Sequence, residues 1–181
     1  NYLESLTAYR RALTALEDPR SYQNRMLPLG ELRQRILAAH ADFLAKDQHD
    51  VAVKLIELLS PILSENRQLE LRATTLNDWG HHLLTQARLE NWNRTQLARE
   101  GREQLRQAGV VFEELASRRF ATANYPDDVW QSAESYFLGQ SYTSSIRMLD
   151  EYLKNEPVKR NAQALLRLGQ SHLARGNLTA G

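Results

Sequence analysis

The chain reads as all-α, a solenoid of antiparallel helix pairs with about eight helices, and three observations predict it. Apolar residues recur at intervals of three and four along nearly the whole sequence, which is the helical period. Only eight glycines and five prolines punctuate the 181 residues, and runs of alternating β-branched residues are missing. One helical phrase occurs twice. Tyr2, Ser5, Leu6, Tyr9, Ala12 and Leu13 are spaced like Tyr142, Ser145, Ile146, Leu149, Tyr152 and Leu153, and each copy runs on to a proline, Pro19 or Pro157. That spacing places the phrase on one stripe of a helix. A repeated amphipathic helix buries such a stripe on its neighbour.

The turn signals then divide the chain. A first helix over about 2–17 is stopped by Asp18-Pro19, and a loop with Met26, Pro28 and Gly30 follows. A second, about 29–46, carries Leu32, Ile36, Ala39, Phe43 and Leu44 on one side. A third, about 49–63, carries Ala52, Ile56, Leu59 and Leu63, with Pro61 predicting a kink or an early stop. A fourth, about 66–90, carries Leu69, Leu76, Trp79, Leu83 and Leu84 and ends at Asn91-Trp92-Asn93. A fifth, about 95–120, carries Leu97, Leu105, Phe112, Leu115 and Ala116. Tyr125-Pro126-Asp127-Asp128 breaks the chain and supplies an N-cap for a sixth, about 128–139. A seventh covers about 143–155, and an eighth, about 158–175, is closed by Gly176-Asn177.

Composition removes several function classes. Hydrophobic residues at 42% can fill a sizeable core, and a net charge of +1 gives no long-range attraction for nucleic acid or anionic membrane. Of the 23 basic residues, 19 are Arg and 4 are Lys. There is no cysteine, which excludes thiol catalysis, disulfides and cysteine-ligated zinc. No stretch of about 20 apolar residues is present, so no segment is expected to insert in a bilayer. The start at Asn1-Tyr2-Leu3 reads as that of an excised fragment.

Leu165-x2-Leu168-Gly169-x2-His172, with Gly176 following, resembles the first helix of a tetratricopeptide repeat, and Leu76-x2-Trp79-Gly80-x2-Leu83 has the same spacing. The first and seventh helices resemble the second helix of that repeat, which ends in proline. So does the third, through Ala52, Ile56 and Leu59, and more loosely the fifth, through Ala108 and Phe112. The resemblance implies one right-handed helical repeat domain over 1–181, with helix pairs at about 29–64, 66–121 and 126–157 and half-repeats at 1–19 and 158–181. It departs from the standard period of about 34 residues. The matching positions Ser5, Ala52, Ala108 and Ser145 are unevenly spaced, and the fourth and fifth helices are each about two turns too long. From Phe112 to Gly176 the chain is also similar to divergent repeats of bacterial envelope proteins, through Glu113-Glu114-Leu115, Tyr125-Pro126-Asp127-Asp128, Phe137-Leu138-Gly139 and Tyr152-Leu153. That likeness implies the cell envelope or periplasm.

Two alignments compete at Tyr142. Phe137-Leu138-Gly139-Gln140-Ser141-Tyr142 parallels Arg167-Leu168-Gly169-Gln170-Ser171-His172, which makes Tyr142 the end of a first helix. The opening phrase makes Tyr142 the start of a second helix. Either the turn between Gly139 and Ser145 is compressed, or residues of the parent sequence are absent there.

No constellation points to catalysis. Glycine-rich phosphate loops, a serine nucleophile elbow and HExxH are all missing. His81 and His82 are adjacent on a helix and point about 100° apart, a poor chelate. His40 and His172 fall on packing faces. Glu113-Glu114 reads as a solvated helix face. Arg94, Arg99, Arg102 and Arg106 share a helix with Glu100 and Glu103, and those mixed signs argue against a nucleic-acid stripe. Trp79, beside Gly80, reads as core. Trp92 lies at a helix tip, where it has less to pack against and can contact another chain. Trp130 is the third aromatic that could line a groove.

In the resembled family the first helices line the concave face. The groove residues implied are Leu37, Ala41 and Leu44 from the second helix, Asn77, His81 and Leu84 from the fourth, and Leu166, Gln170 and Leu173 from the eighth. That lining holds no Lys or Arg, so it lacks the basic clamp some relatives use for a C-terminal carboxylate and suits an apolar or amphipathic helical ligand. The expectation is a non-catalytic scaffold for a protein or peptide partner, with no cofactor, no metal and no nucleic acid. The alternatives are a spacer or oligomerisation segment, or the regulatory helical part of a larger enzyme or sensor. Open ends at Leu6, Tyr9 and Leu13 and at Leu165, Leu168 and His172 predict either continuation into further repeats or self-association.

Overall fold

The computed structural model of the chain describes residues 2–14, 16, 22–89, 92–155 and 159–176. Helix accounts for 79% of them, and no strand occurs among them. The helices are α1 Tyr2–Thr14, α2 Leu29–Ala45, α3 His49–Glu57, α4 Glu65–Leu89, α5 Arg94–Arg118, α6 Tyr125–Leu138, α7 Tyr142–Lys154 and α8 Asn161–Ala174. The two proline stops, Pro19 and Pro157, lie outside the described residues, as do Asn91 and Asn177. Contacts divide the chain into two compact units, Asn1–Thr75 and Leu76–Gly181, each with its own core.

In the first unit Leu13, Leu16, Ile36, Phe43, Val51, Ala52, Leu55, Leu59 and Ile62 form the core, drawn from α1, α2, α3 and the turns beside them. Each fully buried Leu or Ile contributes about 1.5–3 kcal/mol relative to exposure. The α3 helix stops at Glu57, earlier than its apolar period suggests. The cause is Pro61, which has no N–H to donate to the Glu57 carbonyl. The chain continues instead in tight turns, with Leu58 N–H on Leu55 O, Leu59 N–H on Ile56 O and Ile62 N–H on Leu59 O. Long side chains add bonds to carbonyls in this stretch. Arg33 Nε donates to Ile62 O at 2.9 Å, and Gln68 Nε2 to Ile56 O at 2.8 Å. His40 is buried, with Nε2 3.0 Å from Thr75 Oγ1.

In the second unit the core comprises Ala116, Tyr125, Val129, Trp130, Ala133, Tyr136, Met148, Leu149, Tyr152 and Ala164. Helices α5, α6, α7 and α8 pack in chain order, each on the next. The end of α4 lies against the start of α5 through glycine. A Cβ on Gly80 would lie 2.6 Å from Leu105 Cγ and 2.8 Å from Gly101 O, and one on Gly101 would lie 3.0 Å from Gly80 O. Gly80 and Gly101 stand at similar distances on either side of the α4–α5 connection, so the helices run antiparallel. Both are 25 residues long, the overlong hairpin that the sequence predicts. Trp79 departs from its predicted place. It is half-buried rather than core, because Gly80, one residue on, holds the closest approach to α5.

The α6 helix also differs at its start. It begins at Tyr125 with Pro126 in its first turn, so Asp127 and Asp128 lie inside that turn instead of capping it, and no side-chain cap bond is made. Asp128 is buried, 3.6 Å from Arg119, and Asp127 pairs with Arg160 at 2.6 Å. Both carboxylates still favour the positive end of the helix dipole.

At Tyr142 the chain makes a compressed turn. Gly139 ends α6, Gln140 takes the left-handed conformation with φ +58°, and Ser141 precedes α7. Gln140 N–H bonds to Phe137 O and Ser141 N–H to Tyr136 O, satisfying the last carbonyls of α6. The α2–α3 turn is built identically. Lys46 ends α2, Asp47 has φ +57°, and Gln48 N–H reaches Phe43 O. Counting on from each turn, Ala52 and Ser145 occupy the same place, and both are fully buried.

Gly80→Ala is expected to destabilise the chain by about 1–3 kcal/mol, because its Cβ meets backbone. Gly169→Ala, with nothing within 4 Å of its Cβ, is expected to stabilise it by up to about 1 kcal/mol. Urea midpoints of the two variants check the pair, and equal effects would contradict this packing.

Burial holds His40 below its ordinary value of 6.5. The unfolded chain then takes up a proton that the folded chain resists. Stability from this residue is complete above about pH 6.5 and falls as pH drops through that value toward the lower folded one. His40→Gln should shrink the difference between urea midpoints measured at about pH 7.5 and about pH 5.5. An unchanged difference would show that His40 does not titrate with folding.

Candidate functional site

The residues expected to line a groove divide into those used in packing and those left free for contact. In the first unit Leu44 packs onto the core, Leu37 is half-buried and Ala41 is exposed. In the second, Asn77 Oδ1 accepts a bond from Ser135 Oγ at 3.1 Å, which fixes α4 to α6. Gln170 Oε1 accepts from Arg167 at 2.9 Å. His81 is exposed. Leu166 and Leu173 are 62% and 56% exposed, and Trp92 is 87% exposed at the α4–α5 tip. Trp130 is core, packed at 5.4 Å on Tyr152 with Arg160 over its ring.

Helix α8 uses only one face. Ala164 and Leu168 join the core, and Ser171 Oγ lies 3.4 Å from Ser145 Oγ. The opposite face carries exposed Leu165, Leu166 and Leu173 around Gly169. The same Leu-Gly spacing therefore has two outcomes. Gly80 is crossed by a helix, and Gly169 is open.

Two cavities in the second unit bear on a site. The larger, about 740 Å³, lies between the end of α5, the start of α6 and α7. Two of its three carboxylates, Glu113 and Glu151, have partners. Arg147 donates twice to Glu113, at 2.8 and 2.7 Å, and Tyr136 Oη donates to the same carboxylate at 3.0 Å. The Arg147 bonds hold the Glu113 carboxyl below its ordinary range despite partial burial. Burial, and then the Glu113 bond, push the Tyr136 hydroxyl up. Tyr125 Oη donates to Glu151 at 2.9 Å, and Lys154 stands 3.8 Å from the same residue.

The smaller cavity, about 330 Å³, is different in kind. Its walls come from the end of α4 (Leu84, Ala87, Arg88), the start of α5 (Arg94, Ala98, Arg102) and the α6–α7 turn (Phe137, Leu138, Gln140, Tyr142). Among the described residues that line it, three are arginines and none is a carboxylate. Phe137 is fixed by Tyr142 edge-on at 5.9 Å and by the Arg167 guanidinium at 4.4 Å. The groove lining implied by the family resemblance holds no Lys or Arg, and the cavity beside Leu84 adds three arginines to its surroundings. The resemblance takes groove residues from first helices, whereas here the overlong α5 brings its own start beside Leu84. A signal was present, since Arg94, Ala98 and Arg102 recur every four residues on one helix face. Glu103 does not neutralise them, because it is bonded to Arg106.

Among the described residues no helix is long and apolar enough to cross a membrane. Compared with protein-family models, curated proteins and solved structures, the chain matches none.

Trp92→Ala should change stability by less than about 0.5 kcal/mol, as at an exposed site. Trp130→Ala should cost about 3–5 kcal/mol. Chemical denaturation of both variants checks this, and a large loss at Trp92 would mean that the indole is packed.

Proposed function

We propose that this chain is a non-catalytic scaffold that binds a protein or peptide partner, built as a right-handed tetratricopeptide-like solenoid of helix pairs. The observation that carries the reading is the equivalence of the α2–α3 and α6–α7 turns. Each has three residues, a left-handed non-glycine in the middle, the same pair of backbone bonds and a fully buried small residue at one matching position in the next helix. Two helix pairs built alike in separate units are what a repeat architecture needs. In such a stack the first helices would share one face carrying His81, Leu84, Leu166 and Leu173, of which His81, Leu166 and Leu173 are exposed and Leu84 is half-buried.

A second reading, an oligomerisation segment, is favoured by α8, where Leu165, Leu166 and Leu173 surround a glycine with no neighbour. Selection of displayed random peptides on the purified chain, paired with sedimentation over a concentration series, separates the two. The scaffold reading expects enriched peptides whose binding is lost in Leu84→Asp or Leu173→Asp, on a chain that stays monomeric. Concentration-dependent association abolished by Leu173→Asp, with no peptide enriched, would replace it with the second reading.

A further inference from the structure

The smaller cavity of the second unit carries a ligand class that the apolar groove residues do not. Arg88 and Arg94 are exposed and Arg102 is half-buried, all three on its wall. Among the described residues none of the three has a carboxylate within ion-pair distance, whereas Arg106, Arg118, Arg147, Arg160 and Arg167 each have one. The arginines come from the end of α4 and the start of α5 and line one cavity, so their like charges share it. Like charges held close are unfavourable until an anion joins them. Guanidinium groups meet that need with carboxylates or phosphates, through paired N–H bonds. The rest of the wall is mostly apolar. Leu84, Ala87, Leu138 and the Phe137 ring line it, and Phe137 cannot turn away because Tyr142 and Arg167 hold it. A small inorganic anion would leave that wall unused.

We propose that this cavity binds an acidic peptide segment of a partner protein, with side-chain carboxylates on Arg88, Arg94 and Arg102 and an apolar side chain against Leu84 and Phe137. The proposal rests on the scaffold reading and specifies the chemistry of its ligand. A nucleic acid would supply charge and a base to stack on Phe137, but Leu84, Ala87, Ala98 and Leu138 make the wall more aliphatic than aromatic, which is why the peptide is favoured.

The test is a nuclear magnetic resonance titration of the intact chain, reading the arginine Nε–Hε signals and the Leu84 methyls. Four probes are used: acetyl-Glu-Leu-Glu-Phe-Glu-amide, its counterpart with Gln in place of every Glu, inorganic phosphate and a short single-stranded oligonucleotide. The acidic peptide should shift Arg88, Arg94, Arg102 and Leu84 saturably. The Gln peptide should bind at least about tenfold more weakly, the loss expected for charged hydrogen bonds. Arg94→Gln and Arg102→Gln should each weaken the acidic peptide to a similar degree. Arg99→Gln, on the same helix but off the cavity wall, should leave it unchanged and controls for net charge. Equal binding of the two peptides would overturn the acidic assignment while leaving the scaffold reading intact. Shifts from phosphate equal to those from the peptide, or tighter binding of the oligonucleotide, would overturn the peptide assignment. No saturable shift with any probe would overturn the site itself, and the scaffold reading would then stand or fall on the peptide selection.

Discussion

Backbone contact along α5 is the constraint on which the second unit depends. Four glycines mark it. Gly80 and Gly101 let the end of α4 approach, a Cβ on Gly109 would lie 2.8 Å from the Tyr136 ring on α6, and one on Gly139 would lie 3.0 Å from Arg106 N. Polar groups then fasten the same contacts. Ser132 Oγ donates to Gly109 O at 2.8 Å, and the Arg106 guanidinium donates to Gly139 O at 2.8 Å. Close packing of this kind fixes helices at a separation that leaves no space for a methyl group. The small cavity is a consequence, since its walls are the ends of the helices that α5 holds together.

The turns obey a separate constraint. Asp47 and Gln140 adopt the left-handed conformation without being glycine, which costs a side-chain-bearing residue about 1–2 kcal/mol. At the second turn the glycine stands one residue earlier, at Gly139. Two demands compete there, backbone freedom at the helix stop and clearance from α5, and a single glycine meets only one. Clearance wins because a Cβ at 139 would strike the Arg106 backbone, whereas Gln140 points its side chain into solvent. The three-residue turn therefore persists despite the strain, held by two backbone bonds.

Charge is sorted by the same geometry. In the larger cavity every acid named above has a cation or hydroxyl beside it, and such a surface is nearly neutral in detail as well as in sum. Around the smaller cavity the acids on α5 are occupied elsewhere. Gln96 Nε2 donates to Glu100 at 2.8 Å, and Glu103 takes Arg106. A chain with a net charge of +1 thus holds a local positive site that its composition conceals.

The sequence by itself determined that the chain is helical and the order of its eight described helices, with the ends of α1 and α3 and the starts of α6 and α8 displaced by three to six residues. Periodicity, prolines and glycines act locally, so the stop before Pro61, the tip at Trp92 and the close approach at Gly80 were all readable. Tertiary structure decided what depends on a neighbour. Gly80 and Gly169 carry the same motif, and only the helix lying across Gly80 distinguishes them. Tyr142 fitted two alignments, and the choice came from Gly139 needing to clear α5. Trp79 had a core-like spacing, but the residue of closest approach was the next one. The three arginines were visible as residues and invisible as a site, because charge pairing and cavity walls are set by distances between helices, which no spacing along one helix specifies.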